Sequence, residues 1–333
     1  MIGLWDTTGI EVVKALANER RSAGGLASGL ALTLVAVVDE RQVREAEAAA
    51  TIAASAHPCR LLIVVRADVT QMRSRLDAEI VVGGRLGPCE AVVMRMQGRL
   101  ALHAESVVMP LLAPDVPVVT FWQCEPPERI AYDPLGVVAD RRITDAAQAP
   151  QPVLALKTRA LDYAPGDTDL AWTRVTPWRS LLAGAFDAAK IDVANVTIYA
   201  PDTDPTAPLL GGWLQARLGV KPTYEKGQGK IMDAVKLELV DGGVMELERH
   251  LQDGTATLRR SGQMDRVLPL VRRPLGEELA EELRRLDPDQ PYAAALSAAT
   301  GEQGLNERPV SRVHIWHDPA LAEQPEPAAS SAA

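Results

Sequence analysis

Aromatic residues are scarce in this sequence, at 4% of 333 residues. The core must therefore be built mainly from Leu, Val, Ile and Ala, and any local cluster of Trp and Tyr stands out. Cysteine is scarce too. Cys59, Cys89 and Cys124 are odd in number and widely spaced, with no C-x-x-C, which argues against a secreted disulfide scaffold and against a zinc site. Basic runs are missing and the formal net charge is −9. A phosphate backbone has no footprint to meet, so nucleic acid is not an expected partner. The longest apolar stretch, 30–38, contains Thr33 and is far too short to span a bilayer. The N-terminus carries acids early and lacks the basic-then-apolar pattern of a signal peptide. A cytoplasmic location away from membranes is expected by elimination.

What is present points to two α/β parts. The length suffices for two domains with an ample core. Residues 10–21 and 42–56 read as helices, the first with Ile10, Val13, Leu16 and Ala17 on one face and Gly24-Gly25 as its stop. Continuous apolar runs at 30–38 and 61–65 read as buried strands, with further strands at 77–82, 91–96 and 117–122. A helix is expected over 100–112, and mostly helix over 140–161. This alternation predicts a mostly parallel sheet with helices on both faces. The second half changes style. A strand at 193–199 and a helix at 209–218 closed by Gly219 precede alternating strands at 235–240, 244–248, 255–259 and 267–270. The Asp241-Gly242-Gly243 and Asp253-Gly254 turns make these an antiparallel meander. Helices over 274–286 and from Pro291 follow. The expected division is an α/β domain over 1–187, a smaller α+β domain over 188–300, and an extension over 301–333 that is disordered from about 318.

Most candidate chemistry has a simpler explanation. Gly83-Gly84-Arg85-Leu86-Gly87 follows a strand but leads into another strand, so it reads as a turn and not as a phosphate loop at a helix N-terminus. The Arg-Arg pairs at 20, 141, 259, 272 and 284 read as solvated surface. His57-Pro58-Cys59-Arg60 stops a helix and starts a strand; its neighbours also make Cys59 a candidate redox thiol. His314 and His317 lack the pattern of a zinc site. No cofactor and no metal is expected.

Residues 163–179, YAPGDTDLAWTRVTPWR, are different: two Trp, two Arg, two Asp and one Tyr fall within seventeen residues of an aromatic-poor chain. Pro165-Gly166 is a turn signal, Asp167 a cap, and Thr176-Pro177 a second helix start, so two short helices are expected. Capping also accounts for Asp167 and Asp169 more simply than metal binding does. Tyr163, Trp172, Arg174 and Arg179 are left over, and Tyr, Trp and Arg are the residue types that dominate interface hot spots. Trp178 is placed nearer the core by its spacing with Leu181, Leu182 and Ala185.

The run YAPGDTDLAWTRVTPWRSLL resembles the signature of the glucose-6-phosphate dehydrogenase assembly protein family, OpcA. Residues 57–60, 106–112 with 117–119, 141–146, and 272–275 with 281–289 resemble it in the same order, over about 5–297. The resemblance implies a non-enzymatic partner that binds glucose-6-phosphate dehydrogenase and promotes its active oligomer in the oxidative pentose phosphate pathway. Cyanobacterial members are linked to redox control of that enzyme. No catalytic residues carry over. The expected partner-binding set is Tyr163, Asp167, Asp169, Trp172, Arg174, Trp178 and Arg179, with exposed Arg and Trp gripping the partner. A sugar-phosphate or nucleotide-binding regulatory domain, with Arg174 and Arg179 as a phosphate clamp, is the alternative.

Overall fold

The structure, a computed structural model, describes residues 1–22, 29–83, 90–186 and 192–310. Eight strands form the first sheet: β1 (Ile2–Leu4), β2 (Leu32–Val38), β3 (Cys59–Arg66), β4 (Arg75–Val82), β5 (Glu90–Gln97), β6 (Val118–Trp122), β7 (Arg141–Thr144) and β8 (Asp167–Asp169). Their order is β1-β4-β5-β3-β2-β6-β7-β8. All pairs from β5 to β8 are parallel, and β4 and β1 add antiparallel strands at one edge. Every residue of β2 is buried, which explains its unbroken apolar run: a strand covered on both faces has no wet side to make polar. Helix α1 (Gly9–Ser22) packs Val12 and Leu16 on one face, against Val35, Leu62 and Val92. Helix α2 (Val43–Ala56) packs Ala46, Ala50 and Ala53 on the other, against Leu34, Leu61 and Ile63.

Several expectations are corrected here. Ile10 is exposed, because two residues of helix turn it about 200° away from the inward-facing Val12. The stretch 98–111 is not one helix. It is a 3₁₀ turn, the short α3 (Glu105–Val108) and a second 3₁₀ turn containing Pro110, whose missing N–H cannot serve an α-helical ladder. Residues 141–144 are a buried strand and not helix. After the short α4 (Pro134–Val137), helix α5 (Pro152–Asp162) covers only the end of the stretch expected to be mostly helical. The signature forms one helix, α6 (Leu170–Phe186), with Pro177 inside it. The Gly24-Gly25 stop, Cys89, most of the 83–87 glycine turn and everything beyond 310 lie outside the described residues. β4 and β5, which flank that turn, pair antiparallel as a strand-to-strand turn requires.

The second sheet contains β9 (Val193–Ala200), β10 (Thr223–Lys226), β11 (Ala234–Leu239), β12 (Val244–His250), β13 (Thr255–Arg260) and β14 (Arg266–Pro269), ordered β10-β9-β11-β12-β13-β14. Helix α7 (Thr206–Leu218) makes the parallel crossover from β9 to β10 and ends at Gly219 with φ 72°, as its sequence predicted. The rest is the expected antiparallel meander. The chain then returns to the first sheet. Helix α8 (Leu275–Glu282) lays Leu279, and Leu283 just beyond it, in the core around α2. Helix α9 (Gln290–Thr300), capped by the Asp289 carboxylate on the Tyr292 N–H at 2.9 Å, goes back to the second core. It lies so close to α7 that a Cβ on Gly212 would sit 2.1 Å from the Ala295 carbonyl oxygen. The expected boundary at 187 therefore falls after a helix whose Trp172, Val175, Trp178 and Leu182 already belong to the core over the second sheet. Among the described residues no helix is long and apolar enough to cross a membrane.

Candidate functional site

The signature begins as the last strand of the first sheet and ends as a helix of the second core, so it is the joint between them. Gly166, at φ 97°, lets the chain turn into β8; a Cβ there would lie 2.5 Å from the Asp140 carbonyl oxygen and 2.6 Å from Nη2 of Arg142. Arg142 is buried and fully engaged. It donates to the Asp167 carboxylate, to the Ala139 carbonyl at 2.5 Å and to the Pro165 carbonyl at 2.7 Å. Asp169, also buried, accepts from the Thr144 hydroxyl at 2.6 Å, the Ala146 N–H at 2.9 Å and the Ala171 N–H at 2.9 Å. The last of these opens α6. Burial, with the nearby Asp145 charge second, pushes the Asp169 carboxyl above its usual range. Both acids of the Asp-x-Asp pair thus fasten backbone.

Pro177 should break α6, since it cannot donate to the carbonyl of Thr173. That carbonyl instead accepts from Nη2 of Arg273 at 3.0 Å, which lets the helix run through. The two predicted helices merge because an arginine one hundred residues away supplies the missing donor.

The continuous helix presents two polar faces. On one, Trp172, Thr176 and Arg179 recur at i, i+4 and i+7 and line a cleft of about 590 Å³ closed by residues 281–291. The Arg179 guanidinium lies 3.6 Å over the Trp172 ring, and its Nη2 donates to Thr176 Oγ1 at 2.8 Å. Its Nε is buried without a hydrogen-bond partner. Burial pushes this guanidinium down to about 10. Trp172 donates from Nε1 to Asp289 at 2.8 Å and packs on Tyr292, which in turn meets Tyr163. Arg284 and Arg285 stand exposed on the rim.

On the other face, Arg174, Pro177 and Trp178 border a smaller cavity of about 170 Å³ between α6 and the meander. Arg174 holds Asp145 bidentately at 2.6 and 2.8 Å and Glu278 at 3.0 Å. Burial opposes its charge, but hydrogen bonds and attraction from Asp145 and Glu278 outweigh burial and hold the guanidinium above its ordinary value. Across the cavity, Arg249 lies 4.8 Å from the Trp178 ring.

In open doubly wound sheets ligands favour the crevice where strand order reverses. Here that point lies between β2 and β6. It is flanked by Asp39, Glu40, Glu45 and Glu125, with Gln123 donating to Glu45 at 2.8 Å. Glu40 there is paired with Arg95 at 3.0 Å. A second group of arginines, Arg174, Arg179, Arg273, Arg284 and Arg285, gathers around α6.

Both halves of the chain match models of one family. The glucose-6-phosphate dehydrogenase subunit N-terminal domain covers residues 50–161, and the corresponding C-terminal domain covers 165–296. The chain belongs to the OpcA family of glucose-6-phosphate dehydrogenase assembly proteins. The OxPP cycle protein OpcA of Synechococcus elongatus is 28% identical over 160 residues, covering 45% of this chain and 36% of that protein. Its namesake in Synechocystis is 24% identical over 216 residues, covering 60% of this chain and 45% of that protein. The chain thus spans less than half the length of the curated relatives it matches. A solved 3-ketoreductase from Actinomadura kijaniata, in complex with TDP-benzene and NADP, aligns over 86% of this chain and 99% of its own. Its TM-score is 0.45 at 10% identity, too slight a likeness to bear on fold or chemistry.

The two OpcA-family models meet just ahead of the signature, and the stretches that resembled the family surround it. Residues 141–146 supply β7 and Asp145, residues 272–275 supply Arg273, and residues 281–289 supply Glu282 and Asp289; these, with Glu278 between the last two stretches, contact α6 or its neighbours. The expected exposed patch is corrected. Tyr163, Asp167, Asp169, Trp172 and Trp178 are each at most 5% exposed, and Arg174 is held between two carboxylates. Arg179 alone of the seven combines partial exposure with incomplete pairing. Cys59 is fully buried at the start of β3. The groups thought to activate it point elsewhere: His57 Nε2 meets the Ala280 carbonyl at 3.1 Å, and Arg60 binds Glu90 and the Leu111 carbonyl. Sequence reasoning missed Asp145, Glu278, Glu282, Asp289 and Arg249. The only signal of Asp145, Glu282 and Asp289 was membership of conspicuous family stretches, and Glu278 and Arg249 lacked even that.

Proposed function

We propose that the chain is a non-enzymatic partner of glucose-6-phosphate dehydrogenase that binds the enzyme and favours its active oligomer. The observation that carries this reading is that both matched models, which meet at the start of the signature, are those of dehydrogenase-subunit domains. The geometry supports it. The signature's conspicuous residues fix the two sheets against each other, leaving a cleft whose accessible groups include Arg179, Arg284, Arg285, Asp287 and Gln290. A partner shifts an oligomer equilibrium only by binding one state better than the other, and a preorganised surface suits that task because little ordering is needed on contact. The contact face on this reading is the α6 cleft rim, and the chain works in the same compartment as the dehydrogenase.

The test is a titration of the purified chain into purified dehydrogenase at limiting substrate, with light scattering on the mixture. The rate should rise and the enzyme's mass shift upward, both saturating at one ratio. Unchanged kinetics together with unchanged mass contradict the reading.

A further inference from the structure

The cavity between α6 and the meander is lined by two arginines, Arg249 and Arg272, that form no ion pair among the described residues. Arg249 sits on β12 with the same parity as the buried Met245 and Leu247, so it faces the helix-covered side of the sheet. Its guanidinium lies against Trp178, its Nε is buried with no hydrogen-bond partner, and among the described residues it forms no ion pair. Burial pushes it down to about 10; the Asp204 charge holds part of that shift back and the Arg272 charge adds to it. The nearby carboxylates are engaged. Asp204 accepts from the Thr206 N–H at 2.9 Å, the Thr206 hydroxyl at 2.6 Å and the Met232 N–H at 2.6 Å, and Asp233 accepts from the Gly229 N–H at 2.9 Å. Arg174, in the same cavity, has both its carboxylates. Arg272, exposed at the mouth, has no ion pair among the described residues.

A half-buried arginine with an unbonded Nε and no ion pair keeps donors free for an anion that arrives from outside. We propose that this cavity binds a small phosphorylated metabolite, with Arg249 and Arg272 recognising the phosphate. Two unmatched guanidinium groups suit a phosphate monoester, which approaches two negative charges near neutral pH, better than a single carboxylate. Trp178, Ile231 and Val271 give the organic part apolar walls, and Thr206 offers a hydroxyl. The cavity of about 170 Å³ suits a phosphate on a short carbon skeleton better than a dinucleotide. This assignment does not depend on the partner reading. It also moves the phosphate site from Arg174 and Arg179 to Arg249 and Arg272.

Calorimetric titration of the full chain alone, without the dehydrogenase, tests it. The probes are inorganic phosphate and glucose 6-phosphate, with glucose and citrate as controls. Saturable binding of a phosphate probe is expected, with affinity about 10- to 100-fold lower in Arg249→Met and in Arg272→Ala, the loss of one charge-assisted contact. Arg285→Ala, in the other cleft, should bind as wild type does. Because Arg272 is exposed, its variant decides the matter even where Arg249→Met folds poorly. No saturable binding of either phosphate, citrate binding as tightly as both, or undiminished binding in Arg272→Ala would overturn the proposal.

Discussion

Arg174 and Arg249 line the same cavity beside the same helix, yet their surroundings are opposite. Arg174 holds two carboxylates in a near-ideal fork, and Arg249 has an aromatic ring and, among the described residues, no ion pair. The pairs Arg141-Arg142 and Arg284-Arg285 repeat the contrast. The first is buried and bonded to Glu282 and Asp167, and the second stands on a cleft rim. Residue type does not separate an arginine that builds the fold from one available to a ligand or partner. The completeness of its pairing does.

The strongest way to sharpen that contrast is Arg174→Met, which strands Asp145 and Glu278 as buried, unpaired carboxylates. Urea unfolding should show a loss of about 3–5 kcal/mol. Gly166→Ala attacks the matched Arg142 from the backbone side, through a positive φ and a clash with the Asp140 carbonyl. A loss of about 2–4 kcal/mol is expected by the same measurement. Trp172→Phe keeps the ring under Arg179 but removes the donor to Asp289, and should cost about 1–2 kcal/mol. At the exposed end, where Arg284 makes only a long surface pair with Glu281 at 3.8 Å, the double variant Arg284→Ala/Arg285→Ala should change stability by no more than about 0.5 kcal/mol. Its association with the dehydrogenase, followed by light scattering, should still weaken about tenfold; unaltered association would remove the rim from the contact face.

The thiols give the smallest signal. Burial, with Asp39 second, pushes Cys124 up to about 11, so its thiolate fraction stays small until strongly basic pH. Its alkylation rate should climb about a hundredfold between pH 8 and pH 10, against about tenfold for a thiol titrating near 9. Cys59 should not react at all in the native chain. Rapid modification of Cys59 at pH 8 would restore it as a redox switch.

Much of the fold was legible because burial writes itself into composition. β2 and β3 read as apolar runs, β11 to β14 as alternation with Asp-Gly turns, and Gly219 as a helix stop. The signature was legible as an oddity and misread in its parts. RRIT at 141–144 and DTD at 167–169 do not look like buried strands, because their charges are matched by Glu282 and by one another across long sequence separations. Pro177 does not look like helix interior, because Arg273 makes it one. These are pairings between distant residues, and local pattern carries no record of them. Aromatic clustering was correctly singled out, but Tyr163, Trp172 and Tyr292 pack on each other and not on solvent.

The claim that pairing separates structural from available arginines is tested most directly by urea unfolding of Arg249→Met beside the wild type. Removing a half-buried guanidinium that forms no ion pair should leave stability within about 1 kcal/mol of wild type, or raise it, since the contact with Trp178 is the main one lost. A loss of about 3 kcal/mol or more, equal to that expected for Arg174→Met, would contradict it.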